Sequence, residues 1–485
     1  MADLPEKKTD AENNDREKTI PFCPPKISRA FLPVKATYLC YIGALVTLFP
    51  VLPVYLRYLG LSPSQIGLIR GVEPFLDFLV SPVWGSVADK FSIHKQMVLM
   101  NVCGVGGTYF STIFVPGSGE YNETATDGDG VLDGAGSPEN QWQRTRLTFS
   151  LSLVLIATGQ MFNAGVTPLM DANTQEMTKL HPGSTYGRQR LWGSIGGMVF
   201  SVSAGALMDL YAHNPFFLHE YTPAYVIFAI LIILTLIPVW NIDFAPHKPP
   251  ETFFRNIAQV FRNPRVVAFF LVMFTYGFSY GQDTFKYLFL DELGSPHILR
   301  SLCPAANCAA ELFFLYNSKY IIRKIGHENA FLLVIAAYAV RFLAYSFLWD
   351  PWWILPVELL HGICFGILWP AVTSFCNSVA PPGMAATMQT MAFAVTAGLS
   401  EGTGTILGGL FYEQYGARNL FRAMAGTCVA VFIIYRTFLC FYPPIKPGSD
   451  VINDEEKKPY VVNDDEQDKN AYALDNKHPA VQDNE

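Results

Sequence analysis

Charge is what this sequence has least of. Asp, Glu, Lys and Arg make up 15% of its 485 residues, against about 25% in soluble globular proteins. With 51% of residues hydrophobic, that shortfall excludes an intrinsically disordered chain and a nucleic-acid binder with a basic face. Patterned cysteine is missing as well. Nine Cys are scattered, most of them in apolar stretches (Cys40, Cys103, Cys364, Cys376, Cys428, Cys440), with no CxxC pair and no Cys/His cluster. A secreted disulfide scaffold is thereby excluded, no metal set is offered, and the thiols read as small buried hydrophobes. No phosphate loop, nucleotide fingerprint or nucleophile triad appears, and Gly104-Val105-Gly106-Gly107 lies inside an apolar stretch, so no enzyme chemistry and no cofactor are expected. The alternating period of a membrane barrel is also absent.

What is present is long apolar segments. Crossing a bilayer takes about 20 mostly apolar helical residues. Twelve such stretches are predicted at 34–58, 65–88, 95–115, 147–170, 189–211, 222–241, 266–290, 298–321, 330–349, 352–376, 385–412 and 420–441. They must be helical, because every backbone N–H and C=O has to be bonded internally in lipid. The sequence therefore predicts an all-α polytopic membrane protein.

The little charge there is sits unevenly. The total is −7, yet 117–143 carries −6 and 446–485 another −6, leaving an apolar, mildly basic body. Lys and Arg favour one set of connections: Lys90 and Lys95; Lys179, Arg188 and Arg190; Lys248, Arg255, Arg262 and Arg265; Lys319, Arg323 and Lys324. The positive-inside rule then predicts both termini in the cytosol. The one Asn-x-Ser/Thr sequon, at Asn122, falls in the loop 116–146 that this topology places outside, where glycosylation is expected. The domain plan that follows is a tail 1–33, a bundle 34–241, a central cytosolic loop 242–265, a bundle 266–442 and an acidic, disordered tail 443–485. No cleavable signal is read in the first 30 residues, so the first helix is expected to be an uncleaved anchor.

Six plus six helices around a polar central loop is the plan of the major facilitator superfamily, and specific residues carry the resemblance. Gly85-Ser86-Val87-Ala88-Asp89-Lys90, followed by Lys95, resembles its first cytosolic loop signature, with a degraded copy from Asn317 to Gly326. Gly85, Asp89, Lys90 and Lys95 are therefore the expected cytosolic gate. Phe162-Asn163-Ala164-Gly165, Pro168, Asp171 and Tyr186 to Gly196 resemble the fourth–fifth helix hairpin of the lactose-permease-like branch. Phe261 to Arg265, Arg341 and His361 also fall on that branch's pattern. The wording of 60–85 and the long outer loop look most like the animal branch called major facilitator superfamily domain-containing protein 6. The resemblance spans roughly 34–442 and implies twelve helices in two six-helix pseudo-symmetric bundles. It also implies a transporter working by alternating access. There are departures. Where lactose permease has Lys, His and Glu on its tenth helix, this chain has Glu358, His361 and Cys364, and its sugar-stacking Trp falls at Gly197. Galactoside recognition is not supported.

The charges inside the predicted helices are the candidate site, because a charge at mid-bilayer costs at least about 2.5–3.5 kcal/mol and survives when it faces a cavity or a partner. Asp171 and Arg190 lie where the resembling permeases place an acid–base pair on substrate; with Glu73 and Arg341 they are the expected substrate-binding residues. Arg70, Glu73 and Asp77 share one helix face, and Asp283–Lys286 and Glu358–His361 are i,i+3 pairs, so purely structural pairing stays open for all three groups. Glu311, Glu358, His361 and Glu401 are the candidates for carrying a proton as coupling ion. The expected partners are the bilayer and a small polar solute, moved with or without a coupled proton by a monomer at the plasma membrane, with an endomembrane as the alternative location. The alternative is a transporter-shaped receptor that engages an extracellular protein through loop 116–146 without flux.

Overall fold

The computed structural model describes residues 31–118, 138–180, 186–212, 219–242, 244, 263–379 and 385–442. Among these there is no strand; the chain runs through twelve helical passes. We number them α1 (Leu32–Tyr58), α2 (Pro63–Phe91), α3 (His94–Phe114), α4 (Pro138–Leu180), α5 (Tyr186–Tyr211) and α6 (Thr222–Trp240) in the first half. The second half has α7 (Pro264–Tyr280, continued as Asp283–Glu292), α8 (His297–Ile325), α9 (His327–Ser346), α10 (Pro351–Val379), α11 (Ala385–Phe393, Ala394–Ser400 and Glu401–Tyr415) and α12 (Ala417–Phe441). Nine of these passes, among the described residues, are long and apolar enough to cross a bilayer by themselves. The exceptions are α2, α7 and α11. α2 carries Arg70, Glu73, Asp77, Asp89 and Lys90, while α7 and α11 are interrupted. All three border the space between the halves.

The apolar faces of the outer helices point away from the protein. Ile230, Ile233 and Ile237 on α6 are each more than half exposed, as are Ile433 and Ile434 on α12. Rows of exposed isoleucine are at home against acyl chains. This is a multi-pass integral membrane protein.

The two halves repeat one packing plan. In the first, α1 packs on α5, α2 on α4, and α3 on α6; in the second, α7 packs on α11, α8 on α10, and α9 on α12. The bundles meet through α2 against α11 and α5 against α8, the same pair of positions exchanged. The interruptions repeat too. α1 breaks at Phe49–Val51, where Pro50 denies the helix a donor and Pro53 starts a new one. α7 breaks at Gly281–Gln282, at the corresponding place.

Two expectations need adjusting. α4 begins at Pro138, so residues 138–146 belong to a helix and not to the loop 116–146. Pro is well placed in a first helical turn, and one turn on Arg146 lies over the Trp142 ring at 4.4 Å. The stretch 352–376 is not one helix but several short pieces, with a break between Glu358 and His361.

Candidate functional site: a charged cavity open at one end

Contacts between the bundles gather at one end. Gly67 of α2 and Gly409 of α11 touch so closely that a Cβ on Gly67 would sit 2.9 Å from the Gly409 Cα and the Thr405 carbonyl oxygen. Only glycine lets the two backbones meet there. Glu413 at the end of α11 accepts from Ser62 Oγ (2.8 Å) and Ser64 N (3.0 Å) at the start of α2. Asp209 at the end of α5 accepts from the backbone N–H groups of His297 and Ile298 (2.7 and 2.8 Å). It thus caps a helix that belongs to the other bundle. Arg57 pairs with Glu292 at 3.6 Å, and Glu220 lies 3.5 Å from His297. The hydrogen bond to His297 holds the Glu220 carboxyl below its usual range.

The opposite end diverges. A Cβ on Gly398 of α11 would still meet Phe78 of α2 at 2.9 Å. Beyond that, Leu79 and Val83 of α2 and Phe313, Tyr316 and Tyr320 of α8 are each more than half exposed. A cavity of about 560 Å³ lies between the bundles. Both helix interruptions border it, through Phe49 and Pro50 on one side and Tyr280 and Gly281 on the other. Irregular backbone at membrane depth is tolerated where it lines such a cavity.

Three ionic groups line or support the wall. On α2, Arg70 pairs with Glu73 at 2.6 Å, and Tyr109 donates weakly to the same carboxylate. Asp77, one turn further, also faces the cavity. On the hairpin, Arg190 donates to both oxygens of Asp171 (2.9 and 2.6 Å), and Tyr38 Oη donates to Asp171 at 2.6 Å. Arg190 lines the cavity while Asp171 stands behind it, outside the lining. In the second bundle, Lys286 donates to Glu358 (2.9 Å) and lies 3.7 Å from Asp283. Arg341 reaches Glu358 at 3.4 Å and Asp283 at 3.6 Å, and the Tyr345 hydroxyl joins both Arg341 and Glu358. Glu358 and Arg341 are fully buried behind Lys286 and do not line the cavity. This is a closed network in which each charge has an opposite neighbour.

The sequence-derived candidates therefore separate. Glu73, Arg190, Glu311, His361 and Glu401 come together on one cavity surface. Asp171, Arg341 and Glu358 stand in a layer behind it. Glu358 does not bond His361 despite their i,i+3 spacing, because α10 breaks between them and turns Glu358 toward Lys286. Of the gate residues, Asp89 pairs with His94 at 2.8 Å, Lys90 lies over Phe91 and Lys95 over Trp240. A Cβ on Gly85 would touch nothing. These contacts stay within the first bundle, at the open end. Asn122 and 119–137 lie outside the described residues, as do the central-loop positions 245–262.

Sequence reasoning missed several participants. Asn307 and Tyr280 line the cavity, and neither carries a charge that would single it out. The π-helical turn Ala394–Ser400 that delivers Glu401 to the cavity has no signature in the residue pattern, although such turns recur at functional sites. Asp209 was unremarkable as a lone acid at a helix end, because its partner is on another bundle.

Comparisons with known proteins agree with this architecture. Residues 31–423 match the profile of the MFS_1 like family. Major facilitator superfamily domain-containing protein 6-like protein A of Xenopus laevis is 22% identical over 63% of this chain, which spans half of that relative's length. Maltose permease of Geobacillus stearothermophilus is 25% identical over 80% of this chain and 89% of its own. The crystal structure of the nucleoside transporter NupG superposes with a TM-score of 0.68, 15% identity and coverage of 84% of this chain and 99% of that one. At that identity the likeness is one of fold. Two repeated bundles of six helices, joined through α2–α11 and α5–α8 around a charged cavity, together with a profile match over most of its length, show that the chain belongs to the MFS_1 like family.

Proposed function

We propose that this protein is a secondary transporter that carries a small polar solute through the cavity by alternating access. The observation that carries the reading is the asymmetry of the cavity: ionic and deep, sealed at one end by polar and glycine contacts, open at the other. The polar contacts that seal the closed end are individually weak: Asp209 and Glu413 at the starts of helices in the other bundle, the Arg57–Glu292 pair and the Glu220–His297 contact. Each is worth about 1 kcal/mol or less, so rocking one bundle on the other is within reach of a bound ligand's differential affinity.

The Lys and Arg bias favours placing the open end, with both termini, in the cytosol, and the membrane concerned is taken to be the plasma membrane. Glu73 and Arg190, presented on the cavity surface, are assigned to solute contact; Asp171 and Arg341 act by holding Arg190 and Lys286–Glu358 in place. If a proton is coupled, Glu311 and Glu401 are better suited than Glu358, since they border the cavity without an ion-pair partner among the described residues. Gly85, Asp89, Lys90 and Lys95 would act as the latch in the state where this end closes. Uptake into proteoliposomes tests the reading. Arg190→Ala is expected to abolish uptake at unchanged protein incorporation, with Glu176→Gln, on the exposed end of α4, left active. Equal uptake by Arg190→Ala and the native chain would contradict it, as would failure of any solute to move in a broad screen. A pH-sensitive dye inside the vesicles tests proton coupling: no proton movement with solute removes it.

A further inference from the structure

The cavity's charge balance points to the solute's own charge. Its wall carries five carboxylates (Glu73, Asp77, Asp283, Glu311, Glu401) and three bases (Arg70, Arg190, Lys286). Every base is already committed: Arg70 to Glu73, Arg190 to Asp171, and Lys286 to Glu358 and Asp283. Three acids are left over. Asp77, Glu311 and Glu401 form no ion pair among the described residues, and they come from both bundles: α2, α8 and α11.

A second observation points the same way. Among the described residues, three buried polar atoms on lining residues other than Arg70 have no hydrogen-bond partner: Asn307 Oδ1, on a residue 9% exposed, His361 Nδ1, on one 6% exposed, and Asp283 Oδ1. An amide or carboxylate oxygen accepts and never donates, and a neutral imidazole offers one donor and one acceptor nitrogen. Left alone, such groups cost stability in a buried place, so an N–H donor in this cavity that a small side-chain rotation brings within reach of the Asn307 and Asp283 oxygens would be favoured. The opposite case, the unpartnered donor Arg70 Nε, sits on a guanidinium whose charge Glu73 already neutralises. Aromatic faces complete the wall, with Phe49, Tyr280, Tyr287 and Phe365 around the acids. Ring faces attract cations and repel anions.

We propose that the cavity is a binding site for a small organic cation bearing ammonium or guanidinium N–H donors, held between the unpaired carboxylates Asp77, Glu311 and Glu401. The inference rests on the transporter reading for its direction of use, and on the cavity alone for its chemistry. With a neutral sugar or nucleoside in the cavity, these acids would have only protons to neutralise them, whereas a cation pairs with the carboxylates directly. A cation that spans acids from both bundles also gains contacts as the bundles approach, which is the differential affinity that alternating access needs.

The test uses the full-length protein in lipid nanodiscs, with putrescine as the cationic probe and 1,4-butanediol as its neutral counterpart of matching length. Maltose and uridine are the neutral solutes of other shape. Putrescine is expected to bind by calorimetry and to raise the melting temperature, while the three neutral compounds do neither. Glu311→Gln with Glu401→Gln should weaken putrescine by about tenfold or more, without lowering the melting temperature of the unliganded protein, because neither acid has a partner to lose. Glu176→Gln should change nothing. The inference is overturned if maltose or uridine binds and putrescine does not, in which case the transporter reading stands. It is overturned equally if putrescine binding is absent, or unaffected by the double substitution. If putrescine binds in an acid-dependent way but never enters proteoliposomes, the site is established and the transporter reading fails instead.

Discussion

At the residue scale, the decisive distinction is between charges that already have partners and charges that do not. Glu358 holds Lys286, Arg341 and Tyr345 in a buried cluster, so its removal leaves two cations with only Asp283 as a counter-charge in a dry place. Glu358→Ala is expected to destabilise the protein by about 3–5 kcal/mol, seen as a lower melting temperature in detergent. Adding Lys286→Met to it should recover part of the loss; no recovery would mean that the cluster is not held by that pair. Glu220 offers a pH-dependent counterpart outside the membrane. Its carboxyl is held down by His297 across the bundle interface, so its contribution is present above the usual carboxylate range. It disappears as pH falls through the lowered value. The seal should therefore weaken in acid below that range, and Glu220→Gln should remove this pH dependence. The sequence showed which residues are costly in lipid but not which of them pair. Spacing joined Glu358 to His361, whereas the fold joins Glu358 to Lys286, 72 residues away. Long-range pairing leaves no periodic trace.

At the element scale, interruption of helices is what places the site. α1 and α7 break at corresponding depths, and α11 loosens into a π-helical turn just before Glu401. The prolines of α1 make its break readable from the sequence. The break in α7 rests on Gly281, which is tolerated inside helices elsewhere in this chain, so only packing decides. The twelve apolar stretches themselves were plain, because a span of about 20 apolar residues has few other uses. Helix starts were less plain: α4 begins well before its apolar run. Asp209 supplies an element-scale test, since it caps α8 from α5. Asp209→Ala should cost the closed end about 1 kcal/mol, shifting the ratio of the two access states by about fivefold. Spin-label distances across that end measure the shift. An unchanged distribution would show that the cap does not stabilise the seal.

At the scale of the whole molecule, the repeat explains why a cavity exists at all. Each bundle presents charged, interrupted helices to the other, and apolar residues such as the isoleucines of α6 and α12 face outward. Contacts at one end and separation at the other define a single access state, and the exchange of α2–α11 with α5–α8 by the internal repeat provides the means for its inverse. Paired spin labels at both ends test this most directly, in a protein whose exposed Cys103 and Cys440 have been replaced. One pair, Lys90→Cys with Lys324→Cys, reports the open end; the other, Leu210→Cys with Gln414→Cys, reports the sealed end. Two distance populations are expected at each end, changing in opposite directions when putrescine is added. A single fixed distance at both ends, with and without the cation, would contradict alternating access.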